Sequence, residues 1–299
     1  MEGCENSRDL SGQSQKTQMR MIDMHAHLSC LEENPERRDK DTLIKDGGQE
    51  IQKREAEGIL TCFCAGTPWQ WEILRHFQGR RGVLAGFGIH PWYADQYRTE
   101  IAVTGLEECD MIGEIGMDSV WCQVPLPVQQ KVLERQLQAA EELEKPVVLH
   151  TKGQERRIGE MIRGFRGKVC VHWYSGKEED LELFLDQDCY FTLGPDTAAL
   201  CRGEFGAKRR EEARVRARMI KELSPSRLFV ETDGVSAVKW AFEEEENGFS
   251  DLLRGKREEL VSRVLRENVE YAAAQKGFSF LEMEERMRRN LKEFLKSGK

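Results

Sequence analysis

Six histidines occur in the 299 residues: His25, His27, His76, His90, His150 and His172. Five of them close short apolar runs. His25 and His27 end MIDMHAH, His90 ends VLAGFGIH, His150 follows VVL and His172 follows VCV. Side chains two apart in a strand point the same way, so His25 and His27 project together and can share one cation. Two carboxylates occupy comparable places. Glu114 lies in GEIGMD between glycines that permit close approach, and Asp233 ends LFVETD. A carboxylate buried in a strand needs a partner, because an unpaired buried charge is costly. Four imidazoles (His25, His27, His150, His172) and two carboxylates are donors suited to zinc, manganese, magnesium or another divalent ion. Six donors exceed what one tetrahedral ion takes, so two ions bridged by Glu114 are the economical reading.

The remaining polar residues near these runs have softer roles. His90 is followed by Pro91, which stops the strand, and it is a candidate to contact the substrate's anion or leaving group. Asp118 lies further out and reads as an alternative cap. His76 sits in a helical pattern and carries no chemistry. Lys152 follows His150 by two and is expected to face the same mouth. Trp92, Trp121, Trp173 and Tyr174 lie just past run ends and suit a pocket wall or a base-stacking surface. There is no GxSxG elbow and no evident Cys–His pair, which disfavours covalent nucleophilic catalysis.

Positioning five histidines at run ends requires a repeated element. Eight short, near-continuous apolar runs are present: 21–27, 59–66, 83–90, 111–118, 147–151, 168–173, 189–194 and 228–233. Such runs are expected when both faces of a parallel sheet are covered. Helical patterns fill the gaps. Val128, Val132, Leu133, Leu137, Ala140 and Leu143 recur at steps of three and four, with Glu and Gln on the other face and Pro127 and Pro146 as boundaries. Residues 158–165, 181–185 and 213–223 repeat the pattern, and two helices, about 257–275 and 280–297, close the chain. Eight strands each followed by a helix predict a single-domain (β/α)₈ TIM barrel over 21–299, whose strand C-termini carry the chemistry. No GxGxxG or Walker A sequence supports an open nucleotide-binding sheet.

Composition narrows the setting. Charged residues make up 33% and hydrophobic residues 39%, and no run approaches a membrane span. Residues 1–20 are polar, read as a disordered tail and lack an apolar leader. With nine scattered cysteines and no CxxC, reduced thiols in a cytoplasmic protein are expected. The net charge of -8 argues against a duplex-tracking surface. Residues 31–41 form a charged loop, and the excursion 235–262 is a candidate lid or a solvated charged segment. Oligomeric state is not legible.

The ordered set DMHAH, GIHP, GEIGMD, KPVVLH, VHWYSG, LGPD and ETDG, with the closing NLKEFL, resembles the TatD-like family of metal-dependent hydrolases within the amidohydrolase superfamily. The resemblance runs from residue 21 to about 295. It implies that His25, His27, Glu114 and Asp233 hold a first ion, and that Glu114 bridges to a second held by His150 and His172. It also implies that Asp233 orients a water and takes its proton, and that His90 contacts the scissile group. Lys152, Trp92 and Trp173 are the candidate substrate contacts. The chain departs from the family pattern at Ser119-Val120-Trp121, at Trp173 and after ETD, where the usual proline is missing. These departures border the pocket rather than the ligands. The expected activity is a two-metal phosphodiesterase acting on a single-stranded DNA end or a small phosphodiester. An amidohydrolase, lactonase or esterase with the same site is the alternative, and a non-catalytic metal-binding subunit is a third.

Overall fold

The computed structural model describes residues 19–32, 38–97, 101–243 and 259–296. The expected tail, part of the 31–41 loop and residues 244–258 of the candidate lid therefore lie outside the described residues, save for residues 19 and 20.

All eight expected strands form: β1 (Met21–Ala26), β2 (Ile59–Ala65), β3 (Val83–Phe87), β4 (Met111–Gly116), β5 (Val147–His150), β6 (Val169–Val171), β7 (Tyr190–Leu193) and β8 (Leu228–Val230). They pair in parallel, in chain order, within one sheet. The seam between β8 and β1 is joined by the Asp233 amide, which donates to the His25 carbonyl at 2.9 Å. The Thr232 amide and hydroxyl both donate to the Asp23 carboxylate, at 2.8 and 2.6 Å. Asp23 is fully buried, and Arg54 completes its shell at 2.6 Å. The sheet is thus a barrel, sealed by a carboxylate that the Arg54 guanidinium balances.

The helices are α1 (Lys40–Ala56), α2 (Pro68–Leu74), α3 (Leu126–Glu142), α4 (Glu155–Met161), α5 (Glu178–Leu185), α6 (Thr197–Cys201), α7 (Arg210–Glu222), α8 (Val235–Glu243), α9 (Leu260–Lys276) and α10 (Phe280–Phe294). The expectation of a helix after every strand fails at one connection. The described part of the β3–β4 connection holds only 3₁₀ turns, at Pro91–Tyr93 and Ile101–Val103. Pro91, with no N–H to donate, opens the first of these turns, so His90 is held at a turn start rather than in a strand.

The helices bury apolar stripes against the outer face of the barrel, where Phe63, Phe87, Phe191 and Phe229 are almost fully enclosed. α10 starts with a reciprocal Ser279–Glu282 capping box, a stabilising start for the helix that closes the fold. The Asn290 amide of this helix donates to the carbonyls of Pro225 and Leu228. α3 departs from the amphipathic expectation. Gln129 and Gln136 are buried, not solvent-facing. Gln136 binds both backbone groups of Ile89, and Gln129 binds both backbone groups of Asp118. The helix therefore grips the backbone beside His90 and the backbone of Asp118. Among the described residues eight cysteines are free thiols.

Candidate metal centre

Glu114, on β4, is the hub. Its Oε2 lies 3.2 Å from Nε2 of His25 and 3.2 Å from Nε2 of His27. Asp233 Oδ1 faces the same two nitrogens at 3.2 and 3.5 Å. One ligand atom from each of these four residues falls within 4.8 Å of the others. The other oxygen, Oε1, meets Nδ1 of His150 at 2.6 Å and Nε2 of His172 at 2.8 Å. The two carboxylate oxygens thus look into two separate groups of imidazoles. His25, His27, Glu114, His150, His172 and Asp233 are all brought together. His76 is exposed and remote from them.

Close approach of β4 to β5 requires Gly116, where a Cβ would lie 1.8 Å from the His150 carbonyl oxygen. Asp233 has φ 56, a left-handed conformation uncommon for a residue with a side chain, and the hydrogen bond its backbone N–H donates to the His25 carbonyl holds it there.

In three of the rings the outer nitrogen has a partner that fixes the tautomer. His27 Nδ1 donates to the Cys64 carbonyl at 3.0 Å. His172 Nδ1 donates to Glu231 at 3.3 Å, and His150 Nε2 donates to Asp118 at 3.2 Å. In the neutral rings the inward nitrogens, His27 Nε2, His172 Nε2 and His150 Nδ1, therefore keep their lone pairs. His90 is wired in reverse. Its Nδ1 accepts the Trp92 amide at 3.2 Å, so its neutral ring presents an Nε2 proton toward Glu114 Oε1, 3.5 Å away. One ligand atom of His90 also lies within 4.8 Å of Glu114 and His150. Its tautomer makes it a donor to an oxygen rather than a cation ligand, and His172 is the better-disposed nitrogen.

The donor set fits a divalent cation. His150 Nδ1 and His172 Nε2 stand 3.3 Å apart, a repulsive pair of lone pairs unless a proton or cation lies between. Both nitrogens of the fully buried His25 lack a hydrogen-bond partner. Carboxylate–histidine pairs behind the inward nitrogens are the usual support of metal ligands. Without a cation, protons take up the strain. Burial opposes charge on His172, but the Glu114 and Glu231 carboxylates outweigh it and push its pKa up to about 10. Burial likewise opposes ionisation of Glu114, yet the surrounding imidazoles hold it well below the usual carboxylate range. Asp233 is lowered too, its burial overcome chiefly by the adjacent His25 imidazole. Burial pushes His90 the other way, toward the neutral ring.

A cavity of about 640 Å³ opens beside the centre, reached by His150, His172 and Asp233. Lys152, Trp92, Trp121 and Trp173 line it. Tyr174 does not. It is buried among Phe184 and Phe191, and its hydroxyl donates to the Lys177 carbonyl. Sequence reasoning missed four contributors. Glu231 was passed over as a neighbour of Asp233, and the buried Gln129 and Gln136 as solvated helix polar residues. Trp240, which also lines the cavity, sits on α8 within the segment expected as a lid or a solvated charged excursion. The ETD motif was the available signal for Glu231, a second carboxylate two residues before Asp233.

An eight-stranded parallel barrel that gathers histidines and carboxylates at its strand ends defines the class of metal-dependent barrel hydrolases. The chain belongs to the TatD related DNase family, whose match spans residues 22–296. It is 29% identical over 224 residues to the human 3'-5' RNA nuclease TATDN2, a match that takes in 71% of this chain and 28% of that protein's length. It is 25% identical over 201 residues to the 3'-5' ssDNA/RNA exonuclease TatD of Citrobacter rodentium, covering 64% of this chain and 73% of that one. The solved structure of YJJV, a TatD homolog from Escherichia coli, shares the fold with a TM-score of 0.67 at 18% identity, over 92% of this chain and 98% of its own. No helix among the described residues is long and apolar enough to cross a membrane.

Proposed function

We propose that this chain is a two-metal phosphodiesterase acting on a single-stranded nucleic-acid end. The carrying observation is that the two oxygens of Glu114 face two separate groups of imidazole nitrogens. His25, His27 and Asp233 would hold one ion, His150 and His172 the other, with Glu114 shared; zinc, manganese and magnesium all suit the set. Divalent ions there supply Lewis-acid charge and lower the pKa of water toward neutrality. The chain's own groups then divide the work. Asp233, partly open to the cavity, orients a water and accepts its proton. His90, whose Nε2 proton faces Glu114 Oε1, would donate that proton to a phosphoryl or leaving oxygen of the bound substrate. Lys152 supplies positive charge for the substrate's anion, while Trp92 and Trp173 wall the pocket. The names of the human and Citrobacter relatives favour nucleic acid over other esters.

The test is hydrolysis of single-stranded DNA, single-stranded RNA, a small diester and a lactone, with and without chelator. Chelator-sensitive cleavage of the nucleic acids is expected, falling about a hundredfold or more in Asp233→Asn and Glu114→Gln. Chelator-resistant cleavage, or turnover of the lactone alone, would overturn the proposal.

A further inference from the structure

Tryptophan is unusually concentrated at the cavity. Trp92, Trp121 and Trp240 are each close to half exposed, although large apolar side chains of a barrel normally pack away from water. Such a patch at a strand-end cavity marks a binding surface.

The four indoles that line the cavity fall into two kinds. Trp92 and Trp173 are fixed. The Trp92 indole N–H donates to Asp118 at 2.8 Å, and that of Trp173 donates to Asp196 at 2.9 Å. Trp173 also adopts φ 37, and a Cβ at Gly194 would lie 2.1 Å from its ring, so the local chain is built around this indole. Trp121 and Trp240 form no hydrogen bond through their indole N–H among the described residues. They meet edge to face, with ring centroids 5.4 Å apart, and Trp240 meets Trp173 in the same way at 6.0 Å. Such side chains can turn without breaking a polar contact.

Lys152 adds charge to this slot. Its ammonium lies 4.4 Å from the Trp121 ring centroid and donates to Ser175 at 2.9 Å. No carboxylate lies within ion-pairing distance of it among the described residues. A cation in no direct ion pair, set against an indole and beside a metal-type centre, is complementary to a phosphate whose base lies on the aromatic surface.

We propose that Trp121 and Trp240 seat one unpaired nucleobase of a single-stranded substrate against the fixed wall of Trp173, with a phosphate of that strand on Lys152. The slot thereby sets the substrate class. A base held in a duplex has no free face to offer an indole, and a substrate lacking a base gains nothing from the slot. This inference deepens the phosphodiesterase reading and rests on it.

The experiment measures binding of two labelled five-nucleotide strands of equal charge, oligothymidylate and an abasic analogue, in chelator so that neither is cleaved. Wild type should prefer oligothymidylate by about tenfold or more, the scale of one stacked base. Trp121→Ala and Trp240→Ala should each remove most of that preference and leave abasic binding unchanged. Trp240→Phe should retain part of it, which separates stacking from a folding defect. Lys152→Ala should weaken both strands and flatten the salt dependence by about one phosphate contact. Equal affinity of wild type for both strands, binding of neither, or Trp variants that lose both equally would overturn the slot. Hydrolysis with added divalent ion is followed in parallel. Cleavage without base preference sinks the slot alone. Base-selective binding without any cleavage sinks the phosphodiesterase reading alone.

Discussion

The chemistry of the centre depends on residues that never face the cavity centre. Asp118 and Glu231 each take the outward N–H of one histidine, and this alone turns the lone pairs of His150 and His172 toward Glu114. Asp118 was expected to cap a loop, and it does. It accepts the amides of Val120 and Trp121 while also holding His150. A cap reading was reachable from spacing; its second duty was not, because His150 lies 32 residues away. Glu231→Gln keeps the size of the side chain but weakens the pull on the His172 proton. Divalent-metal affinity measured by calorimetry should fall about 10- to 100-fold in this variant, with the fold intact by circular dichroism. Unchanged affinity would place His172 outside the ligand set.

At the scale of elements, the eight strands and most helices were legible because each carries its own apolar period. The strand-end histidines were legible for the same reason, since a run of Val, Ile and Leu marks where the strand stops. What sequence hid is what one element does for another. Gln129 and Gln136 fall among the polar positions of α3, yet they face inward and bind the backbones of Asp118 and Ile89. Asp23 and Arg54 hid likewise. One sits in a histidine motif and the other among the charges of α1, and together they seal the β8–β1 seam. Arg54 is buried with Asp23 and also reaches Glu50 at 3.1 Å. Replacing Arg54 by Met leaves the Asp23 charge enclosed without its cation. Urea unfolding should show a loss of about 3–5 kcal/mol, the usual cost of removing one partner of a buried pair. A loss below about 1 kcal/mol would mean that Thr232 alone satisfies Asp23.

For the molecule as a whole, the centre is a point of stored electrostatic conflict. Five imidazoles crowd one carboxylate at the barrel mouth, and together with Asp233, just past the end of β8, the donors span the chain from β1 to β8. A cation that binds there ties β1, β4, β5, β6 and the β8 end together, so its binding energy becomes folding energy. The unfolded chain cannot assemble these donors, which are up to 208 positions apart in sequence (from His25 to Asp233). Ligand linkage then sets the size of the effect. A free ion at a hundred times its dissociation constant adds about 2.7 kcal/mol, which for a barrel of this length raises the melting temperature by a few degrees. Scanning calorimetry of metal-loaded and chelator-treated protein should show that rise. Glu114→Gln, which weakens both groups at once, should abolish most of it, while Trp240→Ala should leave it in place. The Trp240 control matters because the indoles touch the cavity but not the nitrogens. A melting temperature indifferent to chelator in the wild type would show that the strand ends are held by protons and hydrogen bonds alone.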